Sequence, residues 1–192
     1  LLVAAVAFPL GIATAIYLEE YAGTGRFARF VQINIRNLAG VPSVVYGLLG
    51  LAIFVPLLGR NALSGGATLA VLVLPIVVIT ASEALRSVPT SLREAGYGVG
   101  ASPWEVTSRL VLPAAAPGIL TGTVLALARA LGETAPLIVA GAVLGSFSGT
   151  NLAKMVTGNY TALPVVIYDW SRRPQEAFRA DAAAGIVVLL VA

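Results

Sequence analysis

The sequence contains no cysteine and no histidine. Disulfides, Cys/His metal sites, a thiolate nucleophile and an imidazole base are thereby excluded, and with them most familiar enzyme chemistries. Charge is almost as scarce: 12 Lys and Arg and 9 Asp and Glu make up 11% of 192 residues, where a soluble domain carries about 25%. A soluble all-helical domain cannot cover itself with so little polar surface. The single lysine, Lys154, belongs to no G-x-x-x-x-G-K-[ST] stretch, so the chain has no P-loop of its own, and any ATP must be handled by a partner. The net charge of +3 comes from scattered residues and not from a basic cluster, which sets nucleic acid aside as a partner.

What is abundant is apolar. Hydrophobic residues make up 58% of the chain and the mean hydropathy is +0.91. Five uncharged runs reach 18 residues or more: Leu1 to Leu18, Asn37 to Gly59, Asn61 to Ser82, Leu110 to Ala128 and Thr134 to Ala153. A membrane-crossing helix needs about 20 residues, so the composition predicts a polytopic all-α membrane protein with about five spans. Within Asn61 to Ser82, residues 61–66 read as turn, which places the helix nearer Ala67 to Ala81. A sixth apolar run, Ala182 to Ala192, reaches the last residue. Both ends of the chain fall inside apolar runs, so the expectation is a portion of a longer protein, residues 1–192 forming a single membrane domain. Pro9 and Pro75 fall inside runs and suggest kinked helices whose freed carbonyls are satisfied by neighbours.

Three stretches lie between the runs. Glu19 to Arg36 is amphipathic, with Arg26, Arg29 and Arg36 beside Phe27, Phe30, Val31 and Ile35, and fits a helix at the membrane interface. Residues 146–180 form a long loop with Tyr160, Tyr168, Trp170 and Phe178. Tyr17, Tyr21, Trp104 and Trp170 read as interface anchors.

Residues 83–113 form the most polar interior segment and read as helix, turn, helix. The first helix opens near Pro89, with Ser91 and Glu94 at capping-box spacing, and Gly96, Gly98 and Gly100 supply the turn. Ser102 is placed to cap a second helix, with Pro103 first and Glu105 third, before Trp104, Val106 and Leu110 present an apolar face. Pro113 is expected to end it. A polar knob between membrane spans suits a docking surface for another protein.

The order Glu94-Ala95-Gly96, three residues, Gly100, nine residues, Leu110-Val111-Leu112-Pro113 resembles the EAA loop of MetI-like ABC importer permeases, whose pattern is E-A-A, three, G, nine, I-x-L-P. Gly96 stands for the second alanine and Leu110 for isoleucine. The stretches Gly40 to Gly47, Ala128 to Leu137 (with Gly132-Glu133-Thr134-Ala135-Pro136-Leu137) and Leu163 to Trp170 resemble the phosphate permeases within that family, and the PstA-type subunit over its PstC-type partner. Sulfate and molybdate permeases share Ala-Arg-Ala-Leu-Gly-Glu but continue with Phe-Gly.

The resemblance implies an all-helical bundle in a bacterial-type inner membrane, with the family's first helix and the end of its last absent. It implies a transport subunit with no cofactor and no bond chemistry of its own. The partners it implies are a sister permease, a cytoplasmic ATPase dimer, an extracytoplasmic phosphate-binding protein and membrane lipid. Residues 83–113 would be the cytoplasmic coupling loop, with Glu94, Ala95, Gly96, Gly100, Leu110 and Pro113 as docking residues; residues 146–180 would lie outside. The positive-inside count supports this weakly, with six Arg in the two inner loops against five basic residues outside. The alternatives are a sulfate- or molybdate-type permease and an ATP-independent transporter or channel.

Arg129 and Glu133, four residues apart, share a helix face and can pair. As intramembrane charges they either line and gate an anion path, together with Thr134 and Ser43, or brace the helix near a break at Gly132 to Pro136. Thr80 and Ser82 either donate to an anion or bond back to their own helix. Arg172, Arg173 and Arg179 are rim charges or anion attractors.

Overall fold

Most of the residues that the computed structural model describes, 2–23, 25–142 and 158–191, are helical, and none of them is in a strand. Lys154, the second half of the Thr134 to Ala153 run and the first part of the 146–180 loop lie outside them. The described helices are α1 (Leu2–Tyr21), α2 (Arg26–Ala39), α3 (Ser43–Leu58), α4 (Ala62–Arg86), α5 (Thr90–Gly98), α6 (Pro103–Gly132), α7 (Ala135–Val139), α8 (Leu163–Arg172) and α9 (Glu176–Val191). Three of them, α1, α4 and α6, are long and apolar enough to cross a membrane, or four if α2 and α3 count as one broken span. The Thr134 to Ala153 run is helical only over Ala135–Val139 among its described residues.

Three of the longer helices contain a five-residue π-turn: Tyr17–Tyr21 in α1, Gly50–Phe54 in α3 and Thr107–Val111 in α6. The last overturns the expected stop at Pro113. Proline lacks an N–H and its ring crowds the carbonyl four residues back; the wider turn immediately before Pro113 accommodates it, and the helix runs on to Gly132.

The start of α4 also differs from expectation, because residues 61–66 are not a turn. Asn61 caps the helix: its Oδ1 accepts from the Ser64 amide at 3.0 Å, while the Asn61 amide donates to Ser64 Oγ at 3.3 Å. This reciprocal arrangement is a capping box built from Asn and Ser. The helix therefore opens at Ala62, ahead of the glycine pair Gly65-Gly66.

The chain forms two compact units. The first comprises Leu1–Val3, Val41–Leu72 and Ala128–Ala192; Leu69, Leu137 and Val165 are buried at its centre, with Val3, Tyr160 and Ala162 packed around them. The second comprises Ala4–Gly40 and Val73–Leu127. Its larger core joins Ala15 and Leu18 of α1, Val78 and Leu85 of α4, and Val106 and Val111 of α6. Outward faces are apolar, as at Leu10, Leu120 and Val124, which suits lipid as the solvent. In α2 the apolar side splits: Val31 and Ile35 turn into this core, while Phe27 and Phe30 stay exposed.

Candidate functional site

In the second unit, the turn that joins α5 to α6 is fixed on both sides by short-range hydrogen bonds. Gly100 adopts φ +81°, with Ala101 N–H donating to Gly96 O at 3.1 Å and Gly100 N–H to Tyr97 O at 2.9 Å. This is a Schellman motif, which satisfies the last carbonyls of α5 and needs a residue free to take the left-handed conformation. Two residues later Ser102 caps α6: its amide donates to Glu105 Oε2 at 2.9 Å, and the Glu105 amide donates to Ser102 Oγ at 3.4 Å. Both signals were readable from local sequence. The Ser91–Glu94 box does not form, because Pro89 holds the cap position of α5 and no side chain bonds there.

The six candidate docking residues divide. Glu94, Ala95, Gly100 and Pro113 are exposed. Gly96 is buried and does not serve the turn as expected: a Cβ on it would lie 2.8 Å from Leu110 Cδ1 and 2.9 Å from Val106 Cγ2. Gly96 and Leu110 thus form the seam between α5 and α6. Beside that seam lies a cleft of about 390 Å³ lined by Val99, Gly100, Ala101, Glu105 and Arg109. Tyr97, Val99 (86%) and Trp104 (63%) are large apolar side chains that the knob leaves exposed.

One feature escapes the sequence reading. The π-turn of α1 sets Glu19 and Glu20 against two arginines 67 and 73 residues away. Arg86 donates to Glu19 through Nε (2.7 Å) and Nη2 (2.8 Å). Arg93, adjacent to Glu94, donates to Glu20 through Nη2 (2.7 Å) and Nε (3.3 Å), and also to the carbonyls of Val88 and Leu85. The Glu20 side chain is 5% exposed and the Glu19 side chain 12%. The hydrogen bond to Glu20 raises the Arg93 guanidinium above its ordinary range against the opposing effect of burial. These are forked, charge-assisted pairs, the strong kind.

In the first unit, α6 ends at Gly132, and α7 restarts with Pro136 in its first turn. Arg129 and Glu133 straddle that end, Nε to Oε1 at 3.5 Å, with Arg129 half exposed and Glu133 at 15%. Thr134 occupies the cap position of α7 with no side-chain bond to the helix. Ser43, half-buried, opens α3, which packs against α7 at a point where Gly47 lets the backbones meet: a Cβ there would lie 2.8 Å from Pro136 Cα. Tyr160, whose phenol burial pushes up to about 12, donates to Leu137 O at 3.4 Å and holds the end of α7. Thr80, by contrast, bonds back to Ile76 O at 3.0 Å. Arg173 is taken up by Asp169 at 2.8 Å, and Arg172 stacks over Tyr168.

Residues 7–192 match the family of binding-protein-dependent transport system inner membrane components. Curated relatives include the phosphate transport system permease protein PstA 1 of Mycobacterium tuberculosis, 40% identical over 98% of this chain and 62% of that protein. The phosphate transport system permease protein PstA of Xylella fastidiosa is 36% identical over 100% of this chain and 66% of its own length. A probable ABC transporter permease protein, YqgH, of Bacillus subtilis is 36% identical over 88% and 52%. The chain spans roughly three fifths of the length of the first of these relatives.

Proposed function

Because this chain belongs to the family of binding-protein-dependent transport system inner membrane components, we propose that it is the membrane core of a permease subunit that imports inorganic phosphate through an ATP-driven ABC transporter. The observation that carries the reading is the 83–113 segment. It is a two-helix knob whose turn is held by a Schellman motif and a capping box, and it exposes Glu94, Tyr97, Val99 and Trp104. Such a surface suits a groove on a cytoplasmic ATPase. Residues 146–180 then lie on the outer side, where a binding protein delivers its anion.

In this reading the chain forms and breaks no covalent bond, and hydrolysis belongs to the ATPase pair. Closure of the ATPases displaces the knob, and two permease bundles, this one and a sister, rock between outward and inward access. Arg129 offers guanidinium donors to an oxyanion, and Glu133, already within reach of Arg129, holds that charge in check when the path is empty. Thr134 and Ser43 add hydroxyl donors beside the α6–α7 break. Phosphate specificity is supported by the phosphate permeases among the relatives.

The test is labelled phosphate uptake by the full-length protein with its sister permease, ATPase and binding protein in vesicles, with and without ATP and with sulfate as competitor. ATP-dependent uptake indifferent to sulfate is expected. Glu94→Lys is expected to abolish uptake and ATPase co-purification while leaving membrane insertion intact. Uptake without ATP would overturn the assignment.

A further inference from the structure

The double fork between α1 and the knob has no counterpart in a docking surface, because both carboxylates are turned away from solvent. Glu20 is nearly inaccessible, and its partner Arg93 spends its remaining donors on the carbonyls of Leu85 and Val88, at the end of α4 and in the link to α5. A single guanidinium therefore joins four pieces of chain: α5, the α4–α5 link, the last turn of α4 and the last turn of α1. Arg86, the final residue of α4, repeats the join with Glu19. Around them Leu18, Leu85 and Val88 are buried in one core. Arg93 is also the immediate neighbour of Glu94, so a force applied at Glu94 reaches this joint within one residue.

We propose that Glu19–Arg86 and Glu20–Arg93 form a rigid ionic joint that transmits displacement of the 83–113 segment to helix α1, making Glu20 and Arg93 positioning residues for coupling ATP hydrolysis to transport. The proposal rests on the reading of that segment as the ATPase-docking loop. A surface ion pair would contribute little and would tolerate any charge-conserving change. A joint depends on the planar fork, which lysine cannot reproduce.

The experiment uses the complete complex in phospholipid vesicles and measures three quantities: ATPase co-purification, ATP hydrolysis, and phosphate taken up per ATP hydrolysed. Glu20→Gln and Arg93→Lys are each expected to keep the ATPase bound and hydrolysing while phosphate per ATP falls about ten-fold, within the range of known coupling effects. Should either variant fail to insert, Glu19→Gln at the more exposed outer pair serves as the second probe, with an expected fall of about three-fold. Parental phosphate-to-ATP ratios in these variants would overturn the joint, as would a fall that only tracks loss of bound ATPase. Failure of the docking reading looks different: the parental complex itself would lack ATP-dependent uptake.

Discussion

Two Arg–Glu arrangements in this molecule have the same chemistry and opposite architecture. The Glu20–Arg93 pair joins residues 73 positions apart, at 2.7 Å, with side chains 5% and 20% exposed. The Arg129–Glu133 pair joins residues four positions apart across the end of α6, at 3.5 Å, with Arg129 half in the open. The first fixes one element to another and leaves neither partner free for a ligand. The second ties the last turn of α6 to the residue just past its end and leaves Arg129 half exposed, so that it costs little to open. An arginine meant to meet a passing anion belongs in the second arrangement and one meant to carry force in the first.

That contrast can be broken by stability measurements on the purified protein in detergent. Arg93→Ala leaves a nearly buried carboxylate unpaired and is expected to cost about 3–5 kcal/mol, read as a large drop in thermal unfolding temperature; an unchanged midpoint would erase the distinction. Ser102→Ala removes the cap that orients α6 against the knob and is expected to cost about 1 kcal/mol in the same assay. Tyr160→Phe removes the long hydrogen bond to Leu137 and should cost about 0.5 kcal/mol, because the ring stays packed against Gly65. Arg129→Gln should change stability by about 0.3 kcal/mol or less yet lower phosphate uptake well beyond that; a destabilisation as large as that of Arg93→Ala would make it a brace like the other.

The sequence disclosed most where the physics is local. Ser102-Pro103-x-Glu105 specifies its own hydrogen bonds within four residues, so the start of α6 was legible. The same logic was present at Asn61 and Ser64, but the glycines that follow looked like a turn; one of them, Gly65, instead accepts the Tyr160 ring across the first unit. Arg129 and Glu133 were legible because helical spacing alone places them together. The ionic joint was not, since nothing in two adjacent glutamates announces partners 67 and 73 residues later. Pro113 misled for a related reason: a proline signals a stop only if the preceding turn is α-helical, and that turn is wider.

The wider turn at Thr107–Val111 also sets a phase. Each residue of an α-helix advances the azimuth by about 100°, and a π-turn absorbs one extra residue without that advance. Deleting one residue there would regularise the helix and keep the phase, whereas winding that turn into regular α-helix with every residue kept would give better hydrogen bonds and yet rotate residues 112–127 by about 100° relative to the knob. Ala115 and Ile119 would then leave the core and the exposed Ala114 and Gly118 would swing toward it. The knob and the span below it are thus geared together by one surplus residue, and a locally more regular helix of the same length would be a mistimed one.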